Sequence, residues 1–509
     1  MEPFDLVVVG GGVNGAGIAR DAAGRGLKVL LCEKDDLAQG TSSRSGKLVH
    51  GGLRYLEYYE FRLVREALIE REVLLRAAPH IIWPMRFVLP HVAAMRPAWL
   101  VRLGLFLYDH LGGRKLLPPT RALNLRRDPE GRPLKPEYTK GFEYSDCWVD
   151  DARLVVLNAL DARARGAEIL TRTALVGARR DGGLWQVDLE DARDGRRRQV
   201  QARAVVNAAG PWVEQVLGQA LGVNSSRRVR LVKGSHLVTR KFWEGSQAYL
   251  LQNTDKRVIF VNPYESDLAL IGTTDIPVEG RPEDASIDAG ETAYLLDVLA
   301  RYFTDPPGPE DVVHSFSGVR PLYDDSAENP SAVTRDYVFD VEPKTPMPGT
   351  APLLSVFGGK ITTYRKLAEH ALDKLAPFFP ELGPAWTATG PMPGGDLPDA
   401  DFDGWLRSFQ RARAWLPEPL ALHYGRLYGS RAEALLADAT SVANLGQHFG
   451  ALLYEREARF LIDHEWAETA EDILTRRTKH GLHLTGAEAA AFETWLKAQT
   501  LSHTARMSA

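Results

Sequence analysis

The chain has 509 residues, 44% of them hydrophobic and 25% charged, with a formal net charge of −4. That length suggests two to four domains with ample core, and that charge gives no reason to expect nucleic acid as a partner. Two cysteines, Cys32 and Cys147, exclude a disulfide scaffold and fit a reducing compartment. The N-terminus enters its first strand almost at once, so no signal peptide is expected, and no window of about 20 residues is free of charge, which argues against a transmembrane helix.

Phe4 to Glu33 organise the rest. Leu6–Val9 form an apolar run that predicts a strand buried on both faces. Gly10, Gly12 and Gly15 come next with G-x-G-x-x-G spacing, then a helical segment to about Arg25 and a second apolar run from Lys28 to Cys32. Gly10 permits a sharp turn, Gly12 lets backbone approach a pyrophosphate, and Gly15 lets helix and strand pack closely. The helix start supplies free N–H groups and partial positive charge. Glu33, 18 residues after Gly15, is placed to accept hydrogen bonds from ribose hydroxyls. Together these predict a dinucleotide fold. FAD is preferred to NAD because the unit opens the chain and because residues 168–212 have a flavoprotein order of elements. Cys32 reads as a core residue.

Gly40 to Glu57 form a loop of hydroxyls (Thr41, Ser42, Ser43, Ser45), cations (Arg44, Lys47, Arg54) and glycines (Gly46, Gly51, Gly52). Such a loop suits a cofactor's phosphates and ribityl chain. Phe61–Ala77 is an amphipathic helix, and Ile81–Leu89 reads as a strand broken by Pro84. Arg96–Leu111 is rich in Leu, Trp, Phe and Tyr, which fits either a core helix or an interfacial helix lying on a membrane. Residues 118–138 read as a surface excursion. The Asp150-Asp151 pair reads as the start of a helix running to Arg165, not as a catalytic carboxylate pair.

Three strand-like pieces, 168–179, 184–189 and 198–202, precede a buried strand, Ala204–Ala208, that NAAGPW turns into a helix. This order belongs to two-dinucleotide-binding flavoproteins. Residues 229–341 are β-rich and form a roof, with a helix at Ala293–Phe303 and SFSGVRPL in the run 312–322. Leu353–Phe357 returns to a buried strand, and Gly358-Gly359 opens a helix near Ile361. Past the Pro-rich stretch 377–398 the pattern is helical, including one long segment from Tyr454 to His480. Arg476, Arg477 and Lys479 read as a solvated basic helix end, and Thr485–Glu488 as a capping box before the last helix. With no H-E-x-x-H and no paired C-x-x-C, no metal site is expected.

These motifs resemble the FAD-dependent glycerol-3-phosphate dehydrogenases, the respiratory, membrane-associated kind. The resemblance covers nearly the whole chain and rests on DLVVVGGGVNGAGIARDAAGRG, GTSSRSGKLVHGGLRYLE, VVNAAGPW, KGSHLV, GTTD, SFSGVRPL, VFGGKITTYRKLAE and AEDILTRRTKHGL. It implies an α/β flavoprotein with two dinucleotide-binding halves, a β-rich substrate-binding domain and an all-α C-terminal domain. The expected division is 1–79, 145–228 and 342–376 for FAD, 80–144 and 229–341 for substrate, and 385–509 for the helical domain. It also implies oxidation of sn-glycerol 3-phosphate to dihydroxyacetone phosphate, electrons passing from FAD to a membrane quinone, and a homodimer on the cytoplasmic face of a bacterial inner membrane.

The expected cofactor contacts are Gly10, Gly12, Val13, Asn14, Gly15, Glu33, Lys34, Thr41, Ser42, Ser43, Ser45, Lys47, Leu48, Gly51, Gly52, Ala209, Gly210, Trp212, Gly358, Gly359, Lys360 and Thr362. A phosphomonoester needs cations and hydroxyls in a fixed fork; Arg54, Arg320, Arg335 and Lys360 are the candidates, with Tyr55 and Thr274 as partners. Oxidising a secondary alcohol removes the hydroxyl proton as C2 gives hydride to flavin N5. His50 and His236 are the candidate bases, with His50 preferred, and Arg320 and Lys360 would stabilise developing negative charge. Competing readings are an oxidase delivering electrons to oxygen, an amine-oxidising flavoprotein, and a non-catalytic flavoprotein with a partner-binding helical domain.

Overall fold

The computed structural model describes residues 2–93, 95–225, 227–324 and 336–507. Two large sheets dominate it. In the first, Leu353–Phe357, Arg197–Asn207, Phe4–Val9, Val29–Cys32 and Glu168–Leu170 lie side by side and parallel, with Val338–Glu342 antiparallel at one edge. The opening strand is buried on both faces because helices Val13–Gly24, Asp151–Ala164 and Tyr364–Leu375 cover one side and the antiparallel pieces Thr173–Asp181 and Leu184–Asp191 flank the other. Val9 pairs with Cys32 and with Asn207. Gly10, Glu33 and Ala208 therefore stand together at the carboxyl edge of the sheet, where open α/β sheets bind ligands.

Among the described residues the second sheet has ten strands and is built around Val229–Arg240, which pairs antiparallel with Val312–Tyr323, Leu268–Gly272 and Ile276–Pro277. It walls the space above the first sheet's carboxyl edge. The C-terminal part is helical, from Phe402–Ala412 to Gly486–Met507, with its own apolar core. The last helix opens on the expected capping box, Thr485 and Glu488 bonding each other's main-chain N–H.

Several expectations change. Pro84 does not break its strand: Ile82–Pro90 is continuous, pairing with Lys140–Val149 throughout, while its other neighbour reaches only Phe87 and Val88. Pro84 thus sits where no ladder partner needs its N–H. Residues 197–207 form one strand, not two. The segment 454–480 is not one helix: it ends at Trp466, whose backbone is left-handed, and resumes as a π-turn at Asp472–Arg477. The basic cluster is buried, not solvated. Arg476 and Arg477 both donate to Asp36 at 2.7–2.8 Å, and Lys479 pairs with Asp150. These charges tie the helical part to the first sheet's domain.

No helix among the described residues is long and apolar enough to cross a membrane. Helix Ala98–Leu111 buries Leu105, Tyr108 and Asp109 on one face and exposes Trp99 (69%), Leu103 (46%) and Phe106 (55%) on the other. The buried face meets the core-helix expectation; the other leaves three large apolar side chains exposed.

Candidate functional site

A cleft of about 750 Å³ runs from the carboxyl edge of the first sheet to the inner face of the second. At one end lies the glycine turn. Gly10 has φ +108°, and a Cβ there would sit 2.6 Å from the Ala208 carbonyl oxygen. A Cβ on Gly15 would lie 1.9 Å from the Gly10 oxygen, so Gly15 serves helix–strand contact and does not line the cleft. Helix Val13–Gly24 starts without a side-chain cap and without an acid in its first turn, leaving its positive end for an anion. Glu33 hangs over this turn, its carboxylate accepting N–H bonds from Gly11 (2.6 Å) and Asp35 (2.9 Å). Burial raises its pKa, and those N–H groups oppose the rise.

The loop 40–52 is held by Asp151, at the start of its helix. Asp151 accepts from the Ser45 N–H (3.2 Å) and hydroxyl (2.8 Å) and from Lys47 Nζ (2.7 Å). Lys47 and Ser43 thus belong to the loop's anchorage, the Ser43 carbonyl also accepting from Lys47, and neither lines the cleft. Gly51 and Gly52 are likewise off it. A Cβ on Gly51 would collide with Leu68 and the Tyr108 hydroxyl, and one on Gly52 with the Tyr55 ring. Their smallness serves packing under the loop. Val13, Asn14, Lys34, Thr41, Ser42, Ser45, Leu48, Ala209, Gly210, Trp212, Gly358, Gly359, Lys360 and Thr362 all line the cleft with Gly10, Gly12 and Glu33.

Among the described residues, three buried polar atoms on the cleft have no hydrogen-bond partner: Asn14 Oδ1, Asn262 Oδ1 and His236 Nδ1. An uncapped helix start, an acid at the second strand's end and orphaned polar atoms on both the first sheet's helix and the second sheet fit a long, polar dinucleotide. The residues present therefore suit FAD.

At the far end the cleft meets Arg54, Tyr55, His50, His236, Arg320 and Lys360. Lys360 Nζ stands 4.2 Å over the Tyr55 ring. The Arg54 guanidinium makes no hydrogen bond or ion pair among the described residues. Arg320 donates to Asp275 Oδ1 (2.8 Å) and the Thr274 carbonyl (3.3 Å). The Thr274 hydroxyl is spent elsewhere: it donates to Glu291 (2.7 Å) and accepts the Ser235 N–H (2.9 Å). Its carbonyl accepts from Arg320 and its N–H donates to the Ser235 carbonyl, so Thr274 fixes the wall around Arg320, which corrects its expected role as a phosphate partner. Arg335 lies outside the described residues.

The two histidines differ. His50 is half-buried, its main-chain N–H donating to Thr362 Oγ1 (3.1 Å) and its ring meeting Phe260 edge-on. His236 is buried and stacked on Phe316 at 5.0 Å. Burial first, then Lys47 and Arg320, push its pKa down to about 3. It stays neutral and binds a proton weakly. Cys32 lines the cleft but is buried in its strand, with its thiol pushed up to about 12 by burial; it is not a thiolate at neutral pH.

Sequence reasoning missed Arg257, Phe260, Asn262 and Asp275, all on the cleft wall. Asp275 stood within the GTTD motif, and Asn262 is the polar exception in the strand VIFVNPY. Nothing local to Arg257 points to the cleft.

Residues 5–365 match the FAD dependent oxidoreductase family, and residues 385–498 match the C-terminal domain of alpha-glycerophosphate oxidase. The chain is 63% identical to D-erythritol 1-phosphate dehydrogenase of Brucella abortus, covering 97% of this chain and 98% of that one. It is 52% identical to aerobic glycerol-3-phosphate dehydrogenase of Escherichia coli, with the same two coverages. Among solved structures it is similar to glycerol-3-phosphate dehydrogenase of Bacillus halodurans complexed with FAD, at TM-score 0.74 and 27% identity, over 98% of this chain and 94% of that one. The chain therefore belongs to the FAD-dependent oxidoreductase family, in the branch that holds the glycerol-3-phosphate and erythritol-phosphate dehydrogenases, and FAD is its cofactor.

Proposed function

We propose that this chain oxidises sn-glycerol 3-phosphate to dihydroxyacetone phosphate and passes the electrons to a membrane quinone. The observation that carries this reading is one continuous cleft, with the dinucleotide turn at one end and Arg54, Lys360, Arg320 and His50 at the other. Bound FAD supplies the oxidant that takes hydride from C2. Arg54 and Lys360, with Tyr55 beneath the lysine, hold the phosphate by charge-assisted hydrogen bonds. His50 takes the C2 hydroxyl proton; His236, depressed to about 3, is the poorer acceptor and shapes the wall instead. Arg320, fixed by Asp275, faces the developing alkoxide.

The acceptor and the location rest on the surface. Trp99, Leu103 and Phe106 lie exposed on one helix, with exposed Tyr59 and Phe61 nearby in sequence to the cleft's Arg54 and Tyr55. Exposed Arg96 and Arg102 accompany them. A face of this kind suits the headgroup boundary of a bilayer and supports the proposed position on the cytoplasmic face of the inner membrane. The same helix reaches the active loop: its Tyr108 donates to Asp146, which accepts the Gly51 N–H. We also propose a homodimer, and a division into FAD-binding, substrate-binding and helical domains at the boundaries expected from sequence, which the two separate sheets and the C-terminal core support.

A second reading changes the polyol. The 63% identity to an erythritol-phosphate dehydrogenase favours a four-carbon polyol phosphate, which offers the same phosphate and a secondary alcohol. Anaerobic flavin reduction with each compound decides: glycerol 3-phosphate should give the higher kcat/KM, and a tenfold preference for D-erythritol 1-phosphate would reassign the substrate.

A further inference from the structure

His423, Glu457 and His480 are scattered over 57 residues of sequence, yet their ligating atoms converge within 4.8 Å in the C-terminal helical core. His423 comes from helix Glu418–Tyr428, Glu457 from helix Glu455–Glu465, and His480 from the turn that comes after Arg476–Lys479. His423 Nε2 lies 2.8 Å from Glu457 Oε1 and 3.2 Å from His480 Nε2. His480 Nε2 lies 3.6 Å from Glu457 Oε2.

Protons alone satisfy this group poorly. An imidazole nitrogen offers outward either one N–H or one lone pair. If His423 Nε2 carries hydrogen and donates to Glu457, it has no lone pair for His480, and its second contact can only share the same proton. If His423 Nε2 instead accepts from His480, its lone pair faces the Glu457 carboxylate at 2.8 Å. In both cases Glu457 Oε2 is fully buried and without a hydrogen-bond partner, while Oε1 also takes the Tyr428 hydroxyl at 2.8 Å. A buried carboxylate oxygen with no hydrogen bond, and only His480 Nε2 at 3.6 Å, is costly.

We propose that His423, Glu457 and His480 bind a divalent cation of the Zn2+ type. Two imidazoles and one carboxylate are a zinc ligand set that leaves a fourth position for water. With Zn–ligand distances near 2.0–2.1 Å, tetrahedral neighbours stand about 3.3 Å apart; His423 Nε2 stands 2.8 Å from Glu457 Oε1 and 3.2 Å from His480 Nε2, close to that value, and the three ligand atoms all lie within 4.8 Å of one another. A cation would turn three competing lone pairs into ligands and give Oε2 or Oε1 its partner. The His423 side chain is 11% exposed, so the site has an entry path. None of the three residues lines the cofactor cleft. The ion's role is to clamp two helices to the turn whose preceding residues, Arg476, Arg477 and Lys479, bind Asp36 and Asp150. The absence of any short metal motif in the sequence is a consequence of this spacing.

The test uses tag-free holoenzyme, stripped with a chelator and titrated with Co2+ and then Zn2+. The expected result is one equivalent of Co2+ giving ligand-field absorption to the red of the flavin bands, displaced by Zn2+, with a Tm several degrees higher in Zn2+ than in chelator. His423→Gln with Glu457→Gln should lose both signals and keep its flavin. Should that variant not fold, Zn-edge X-ray absorption on the wild-type 1:1 complex decides, with two imidazoles and a carboxylate oxygen expected. No saturable Co2+ absorption in wild type, equal absorption in the variant, or a shell without imidazole would overturn the proposal.

Discussion

Replacing Arg54 with alanine should lower kcat/KM for glycerol 3-phosphate while leaving flavin content and Tm in place. Arg54 sits on the turn Leu53–Tyr58, lines the cleft, and its guanidinium has no partner among the described residues. Its loss therefore strands no buried carboxylate. What disappears is a charge-assisted hydrogen bond to phosphate, worth about 1.5–3 kcal/mol, or roughly 10- to 150-fold in kcat/KM. Arg320 offers the contrast, because Arg320→Ala removes a partner of Asp275 and should lower Tm as well as rate. Anaerobic stopped-flow reduction at varied substrate concentration, with flavin fluorescence for Tm, separates the two. An R54A enzyme within threefold of wild type, or one destabilised as much as R320A, would refute the assignment.

Gly15→Val should purify without flavin, since its Cβ would lie 1.9 Å from the Gly10 oxygen and break the turn; visible absorbance per chain reports it. Glu465, fully buried, would be raised by burial but is held down to about 2 by Arg153 and Arg431. Its folded pKa is below the ordinary 4.5, so its contribution, about 3 kcal/mol, is present above pH 4.5 and fades as pH falls toward 2; Glu465→Gln should flatten stability across that window in denaturant titrations. Asp36→Asn removes the acid shared by Arg476 and Arg477 and should cost about 3–5 kcal/mol, seen as a lower urea midpoint. Trp99→Glu with Phe106→Glu should abolish co-sedimentation with anionic vesicles and spare turnover with a soluble electron acceptor.

What could be read from sequence is what local chemistry specifies. The run Leu6–Val9, the glycine spacing and Glu33 foretold a parallel sheet with its ligand edge, because strand, turn and acid succeed one another along the chain. The capping box at Thr485 and Glu488 is equally local. The misreadings share one cause: partners distant in sequence. Asp36 lies 440 residues from Arg476, so a buried ion pair looked like a solvated helix end. Thr274 looked available until Glu291 and Ser235 claimed its hydroxyl. Lys47 and Gly51 looked like cofactor contacts because the loop around them lines the cleft. Asp151, Leu68 and Tyr108, which they meet, come from other elements. Arg257 reaches the cleft only through the topology of the second sheet.

The central claim is that this cleft oxidises a polyol phosphate through FAD. Its most direct test is anaerobic mixing of the purified holoenzyme with glycerol 3-phosphate, then addition of a quinone analogue or oxygen. The account predicts rapid loss of the flavin's visible absorbance, reversed quickly by the quinone and slowly by oxygen. Unchanged absorbance with FAD bound, with either polyol phosphate, would contradict it.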